Sequence, residues 1–311
     1  MRIYSLQKWF FDVLLPGNAY VYFYITHIKF FGFSVSRFNL HYRSETRILS
    51  FSEKIDLQII DPNNFSGKSA GFRKVRGGFV IEIHKRYLDI CLLYKNPDQF
   101  NYTQFNPDFI SYNNRKIEWY PLILKGQPEG RLNLKDFKIQ IRSCEGYIDY
   151  VCSTVLPNKV PISELYWGRL HHKELDFSYS ITFDNNKQLA TAHCLCRLNN
   201  QFLETDKTEI KIHENGYSEE LKISYPRVIE LTSMFKSCEI TLLISQGEKL
   251  IESGFFDEQQ NINKLLIKSI KTFSKNPLGI KFLSDVQVEI KSVKSIHIDG
   301  LKLISEYVRF F

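Results

Sequence analysis

The feature that most constrains this chain is a period of two. In "YVYFYITHIKFFGFSVSRFNLHY" (20–42), "GFVIEIHKRYLDICLLY" (78–94), "FSYSITF" (177–183) and "LATAHCLCRL" (189–198), aromatic and β-branched residues alternate with others or run together. The same holds for "TEIKIHE" (208–214), "CEITLLIS" (238–245) and "VQVEIKSVKSIHIDGLKLISEYVRFF" (286–311). Successive side chains of a strand point to opposite faces, so these runs specify sheets. An all-β protein is expected. "PGN" (16–18), "RGG" (76–78) and "FDNNKQ" (183–188) supply turns between runs. Asp299-Gly300 between alternating segments predicts a hairpin. One stretch departs from the pattern. In 257–277, Ile262, Leu265, Leu266, Ile270 and Phe273 fall at helical spacing, with Asp257 and Glu258 at the start and Pro277 at the end, which predicts a short helix.

A chain of 311 residues suits one large domain or two of ordinary size. "NPDQFNYTQFNPDFISYNNRK" (96–116) and "STVLPNKVPISE" (153–164) read as irregular connections, and the second divides the chain almost in half. Two tandem antiparallel barrels or sandwiches, 1–155 and 156–311, follow.

The 25 Phe and 17 Tyr suit pleated strands and equally suit the lining of a pocket for a large apolar ligand. A net charge of +7, spread without a basic block, reads as a solvated surface and argues against nucleic acid. Its alternative use is peripheral contact with an anionic membrane. Six cysteines without a C-x-x-C pair, and no secretory signal before them, point to reduced thiols in a cytoplasmic protein. His193, Cys194 and Cys196 alternate along a strand and lack the further ligands of a zinc site, so no metal is expected. Nor is a cofactor, since phosphate-cradling and dinucleotide motifs are missing, as is a nucleophile elbow.

"CEGYIDYVCSTVLP" (144–157) sets one carboxylate, Asp149, between two tyrosines in an apolar segment. A charge in such surroundings is costly unless it is solvated, hydrogen-bonded or protonated. Two readings stay open, a catalytic or substrate-polarising acid and a structural hydrogen-bond acceptor.

Four short motifs in order carry a resemblance: Trp9-Phe10-Phe11-Asp12; Trp119-Tyr120-Pro121 running on to Glu129-Gly130-Arg131-Leu132; Gly146-Tyr147-Ile148-Asp149; and Tyr166-Trp167-Gly168-Arg169. Over roughly residues 5–185 the chain resembles the carotenoid 1,2-hydratase (hydroxyneurosporene synthase) family. That lipocalin-like group also takes in tocopherol-cyclase-like proteins, terpenoid cyclases and lipocalin-like pericyclases. Members commonly carry G-Y-H-D-H-N-W-G where this chain reads Gly146-Tyr147-Ile148-Asp149-Tyr150-Val151-Cys152-Ser153, so both histidines, the Asn and the Gly are replaced.

The resemblance implies two lipocalin-like domains with an apolar pocket near their junction. Asp149 would lie in the first domain's last strand, and Trp167 would begin the second. It further implies that Asp149 protonates an alkene of an isoprenoid or polyene, with hydration or cyclisation following, as in a lyase or isomerase. Trp9, Tyr147, Tyr150 and Trp167 would line the substrate and face a developing cation, joined by Arg169 and His171. Simpler roles stand beside these. Trp9 and Trp119 also read as packing, Tyr147 as a structural tyrosine, and Arg169 as an ion-pair partner of Asp149 or Asp12. A pericyclase that only folds a polyene, and a carrier that leaves its ligand unchanged, are the competing functions.

Overall fold

A computed structural model describes residues 4–96, 108–156, 159–254, 277–292 and 295–310. The first half holds β1 (Tyr4–Leu14), β2 (Tyr20–Phe30), β3 (Phe33–Arg43), β4 (Ile48–Ile55), β5 (Gln58–Asp61), β6 (Asn64–Ser66) and β7 (Ala70–Val75). It continues with β8 (Gly78–Lys85), β9 (Leu88–Lys95), β10 (Asp108–Tyr112), β11 (Arg115–Leu134), β12 (Phe137–Ile141) and β13 (Glu145–Ser153). The second half holds β14 (Glu164–His171), β15 (Leu175–Phe183), β16 (Leu189–Leu198), β17 (Gln201–Leu203) and β18 (Thr205–Ser218). It ends with β19 (Ile223–Phe235), β20 (Cys238–Gly254), β21 (Leu278–Lys291) and β22 (Ser295–Arg309).

The fold is all-β, as the period of two requires. Two antiparallel sheets, consistent with lipocalin-like domains, divide the strands at residue 156. The first runs β4, β3, β2, β1, β13, β11, β9, β8, β7, β6, β5, with β10 and β12 also on β11. The second runs β17, β16, β15, β14, β22, β21, β20, β19, β18. Among the described residues neither sheet closes through a backbone ladder. Both curl instead. In the first unit Lys85 at the end of β8 reaches Glu53 of β4 at 3.6 Å, and Trp9 of β1 donates its indole N–H to Pro62 O at 2.8 Å. In the second, Thr205 at the start of β18 donates to Cys194 O of β16 at 3.0 Å, and Cys194 Sγ meets Thr208 Oγ1 at 3.4 Å. Side chains thus link strands at or near the edge of each sheet to strands that backbone pairing leaves apart.

Strand β11 turns the corner of the first unit. Its stretch Ile117–Gly126 pairs with β13, and Gln127–Leu134 pairs with β9, with register shifts on either side of Ile123. Bulges of this kind bend a strand and add twist. Several turns follow from local chemistry: Phe31-Gly32 joins β2 to β3 with both φ positive, and Asn113-Asn114 does the same between β10 and β11. The second of these corrects the expectation of an irregular 96–116, whose last part is the β10–β11 hairpin. Asp299-Gly300 is corrected as well. Strand β22 runs straight through them, and the two residues oppose the single Gln287 of β21, so Gly300, at φ 70°, forms a bulge and not a hairpin. The helix expected at 257–277 falls almost entirely outside the described residues.

One buried group makes the first core sensitive to acid. His27 of β2 points inward with Ile25 and Phe23, and its Nδ1 lies 2.7 Å from Ser36 Oγ. Burial, helped by nearby Lys29, lowers its pKa from 6.5 to about 4. The unfolded chain therefore binds a proton that the folded chain refuses between those values, so this residue's destabilising effect begins below pH 6.5 and is complete near pH 4. Thermal unfolding followed from pH 7 to pH 4 should show a falling midpoint, and His27→Leu should make that fall shallower.

Candidate functional site

Register fixes which side chains share a face. Strand β1 lies between β2 and β13, and Phe10 is opposite Asp149 on one side and Tyr24 on the other. Trp9, Phe11, Phe23, Ile25, Ile148 and Tyr150 belong to the apolar core of the unit. Alternation sends Phe10, Asp12, Tyr22, Tyr24, Tyr147 and Asp149 to the opposite face. That face is buried too.

Asp149 is 5% exposed. Its Oδ2 accepts two hydrogen bonds, from the Trp119 indole N–H at 3.1 Å and from the Tyr147 hydroxyl at 3.0 Å. The buried carboxyl is thus met by donors, which is what its apolar setting demands. Asp12 on the neighbouring strand accepts the Tyr147 backbone N–H at 3.0 Å through Oδ1. Phe10 lies between the Tyr22 ring, at 5.9 Å, and the Tyr147 ring, at 6.4 Å.

Two motif glycines have a steric reason. A Cβ on Gly146 would stand 2.5 Å from Asp12 O and 2.9 Å from the Tyr94 ring, whose hydroxyl donates to that same oxygen at 3.1 Å. A Cβ on Gly168 would stand 2.5 Å from the Tyr179 hydroxyl of the facing strand. In each unit a tyrosine ring crosses the strand where only glycine leaves room.

Trp9 and Tyr150 sit together on the core face, their rings 4.8 Å apart. Tyr150 OH accepts from Gln7 Nε2 at 2.8 Å, and burial pushes the phenol above its ordinary range. Neither shares a face with Asp149; Tyr147 does. In the second unit Trp167, Arg169 and His171 lie on one face of β14, opposite to core residues Tyr166 and Leu170. His171 Nδ1 is 3.0 Å from Asp176 Oδ1, while Arg197 donates from Nε, at 2.7 Å, and from Nη2 to Asp176 Oδ2. These three form a row across β14, β15 and β16, all with buried side chains. Cys194 and Cys196 point into the core and His193 away from it, and burial pushes both thiols up.

Sequence reading missed Trp119 as the donor to Asp149, and Asp176 and Arg197 beside His171. Only the cross-strand register reveals them. Asp176 and Arg197 are 21 positions apart yet directly opposite. Removing Asp176 takes a two-point carboxylate contact from the buried Arg197 guanidinium, so Asp176→Ala should lower stability by about 3–5 kcal/mol. Urea unfolding checks this, and Asp176→Leu combined with Arg197→Met should recover most of the loss.

No family model and no curated protein matches the sequence. Solved structures do match in shape. An AttH-type protein from Nitrosomonas europaea superposes with a TM-score of 0.65 at 9% identity, over 98% of this chain and 92% of that one. CghA, solved with Sch210972, gives 0.62 at 8% identity over 98% and 88%. Kievitone hydratase from Nectria haematococca gives 0.59 at 11% identity over 97% and 88%. At such low identity the likeness establishes a shared fold.

Proposed function

We propose that the protein is a cofactor-independent enzyme that binds a large apolar isoprenoid or polyene and protonates one of its alkenes at Asp149, with hydration or cyclisation following. The observation that carries this reading is the buried Asp149 carboxyl, held through Oδ2 by Trp119 and Tyr147 on a face rich in aromatic rings. An alkene is a poor base, so its proton donor must leave behind a stabilised anion. Two donors on one oxygen supply that stabilisation. The rings beside the carboxyl, Phe10 and Tyr147, would each contribute about 0.5–2 kcal/mol to a desolvated positive charge formed there. A fold shared with a hydratase lends further weight.

The acid role has a direct test. Asp149→Asn keeps the shape and still accepts from Trp119 and Tyr147 through its amide oxygen, but carries no proton to give. Turnover of a polyene or isoprenoid substrate should fall by about 10²–10⁴-fold while ligand binding, read by quenching of tryptophan emission, is retained. Asp149→Glu should be impaired but active. A folded, binding-competent Asp149→Asn variant with full turnover would remove Asp149 as the acid and favour a pericyclase, in which the face only shapes the polyene. A variant that loses stability alone would leave Asp149 a structural acceptor, as a carrier needs.

A further inference from the structure

The aromatic face that bears Asp149 continues across β1 and β2 to β3. Register sets Asp149, Phe10, Tyr24 and Asn39 in one row, and Lys8, Thr26, Arg37 and Lys54 in the next. Arg37 is 2% exposed, Asn39 2% and Thr26 1%. A guanidinium so deeply placed ordinarily meets a carboxylate. Arg37 does not. Among the described residues its partner is the Ser52 hydroxyl, to which Nη2 donates at 2.8 Å, and Nε meets no acceptor. Ser52 in turn donates to Asn39 Oδ1 at 2.7 Å. That bond fixes the amide of Asn39 so that its Nδ2 is a donor, and this donor too meets no acceptor. Thr26, opposite Arg37 on β2, has its hydroxyl in the same condition. Three donors on adjoining strand positions are therefore shut off from water with nothing to receive their hydrogens.

Within this row the charges share one sign. Lys8, whose ammonium sits 4.6 Å above the Tyr24 ring, and Lys54 flank Arg37 in its row, and no carboxylate stands in that row. Burial draws the Arg37 pKa below its ordinary value, the sign of a cation whose solvation has not been replaced. Uncompensated buried donors of this kind are costly, and a bound acceptor would relieve the cost.

We propose that Arg37, Asn39 and Thr26 form a binding site for an anionic oxygen pair, a carboxylate, at the end of an otherwise apolar ligand laid along this face. Asn39 and Asp149 are separated by three strand spacings, roughly 14 Å. The site therefore selects a ligand whose acidic end and reacting alkene are about that far apart, with Phe10 and Tyr24 under the chain between them. The carboxylate site rests on the function proposed above in taking the ligand to be long and apolar, and the spacing rests on it in placing the reacting alkene at Asp149.

The test compares cis-parinaric acid, a fluorescent polyene carboxylate, with its methyl ester. The wild-type protein should bind the acid at least about ten-fold more tightly, as a charge-assisted contact requires. Arg37→Met should bring the acid down to the affinity of the ester and leave the ester unchanged, with a melting temperature of the free protein no lower than wild type. Arg37→Lys should keep part of the preference. Asn39→Leu should weaken it by a second route, which decides the matter if Arg37→Met fails to fold. Equal affinity for acid and ester in the wild type, or a preference that survives Arg37→Met, would overturn the carboxylate site while leaving the Asp149 reading intact. Binding of neither probe would count against both. Inorganic phosphate should not displace the acid, and displacement would show a free anion to be the occupant and sink the tail-anchored ligand.

Discussion

The pairing of β1 with β13 is the constraint on which the first unit depends. It joins residues near the start of the chain to residues about half-way along it, with Leu6 to Leu14 running antiparallel against Ser153 to Glu145. Contacts this distant in sequence are entropically expensive to form, and only burial on both faces makes the arrangement stable. One face does this with the core rings of Trp9, Phe11 and Tyr150. The other must do so with Asp12 and Asp149 included. The Trp119 indole, the Tyr147 hydroxyl and the Tyr147 backbone N–H are among the groups that make this feasible.

The two units solve the same problem with different chemistry. On its polar face the second unit pairs Asp176 with Arg197 and His171, a compact set in which charge answers charge. In the first unit Asp149 accepts from the Trp119 indole and the Tyr147 hydroxyl, and Arg37 donates to the Ser52 hydroxyl. Asp149 and Arg37 thus stand in adjoining rows of one sheet, three strands apart. A sheet built for stability alone would bring them together or replace both by apolar residues. Keeping them apart suits a surface that meets a ligand with distinct ends.

Much of the fold was legible. Alternation marked the strands, and the turn residues at 76–78 and 183–188 separate β7 from β8 and β15 from β16. What alternation could not supply is pairing. Asp299-Gly300 has hairpin chemistry, but the neighbouring strand β21 holds β22 straight and turns the same glycine into a bulge. Asn113-Asn114 looked like part of a loop because its flanking strands carry polar residues, although two asparagines tolerate positive φ and make a tight turn. Asp149 stood out as a charge in apolar company. Trp119 lies 30 positions from it, and Arg37 is unremarkable in the linear run "SVSRFNL"; neither could be placed without the register.

Register also gives the motif departures a physical meaning. The positions where the hydratase-type sequences carry histidines on either side of the aspartate are Ile148 and Tyr150 here, and both belong to the apolar core. Tyr147 and Asp149 share the opposite face, bonded to each other at 3.0 Å. Substituting an imidazole by an aliphatic or phenolic side chain at 148 and 150 therefore changes the packing of the core against Trp9 and leaves the surroundings of the carboxyl to Trp119, Tyr147 and Phe10. An acid whose immediate donors come from its own face does not require those histidines. Of the replaced histidine, Asn and Gly positions, 148 and 150 lie on the core side of the strand, while 151 and 153 share the face of Asp149.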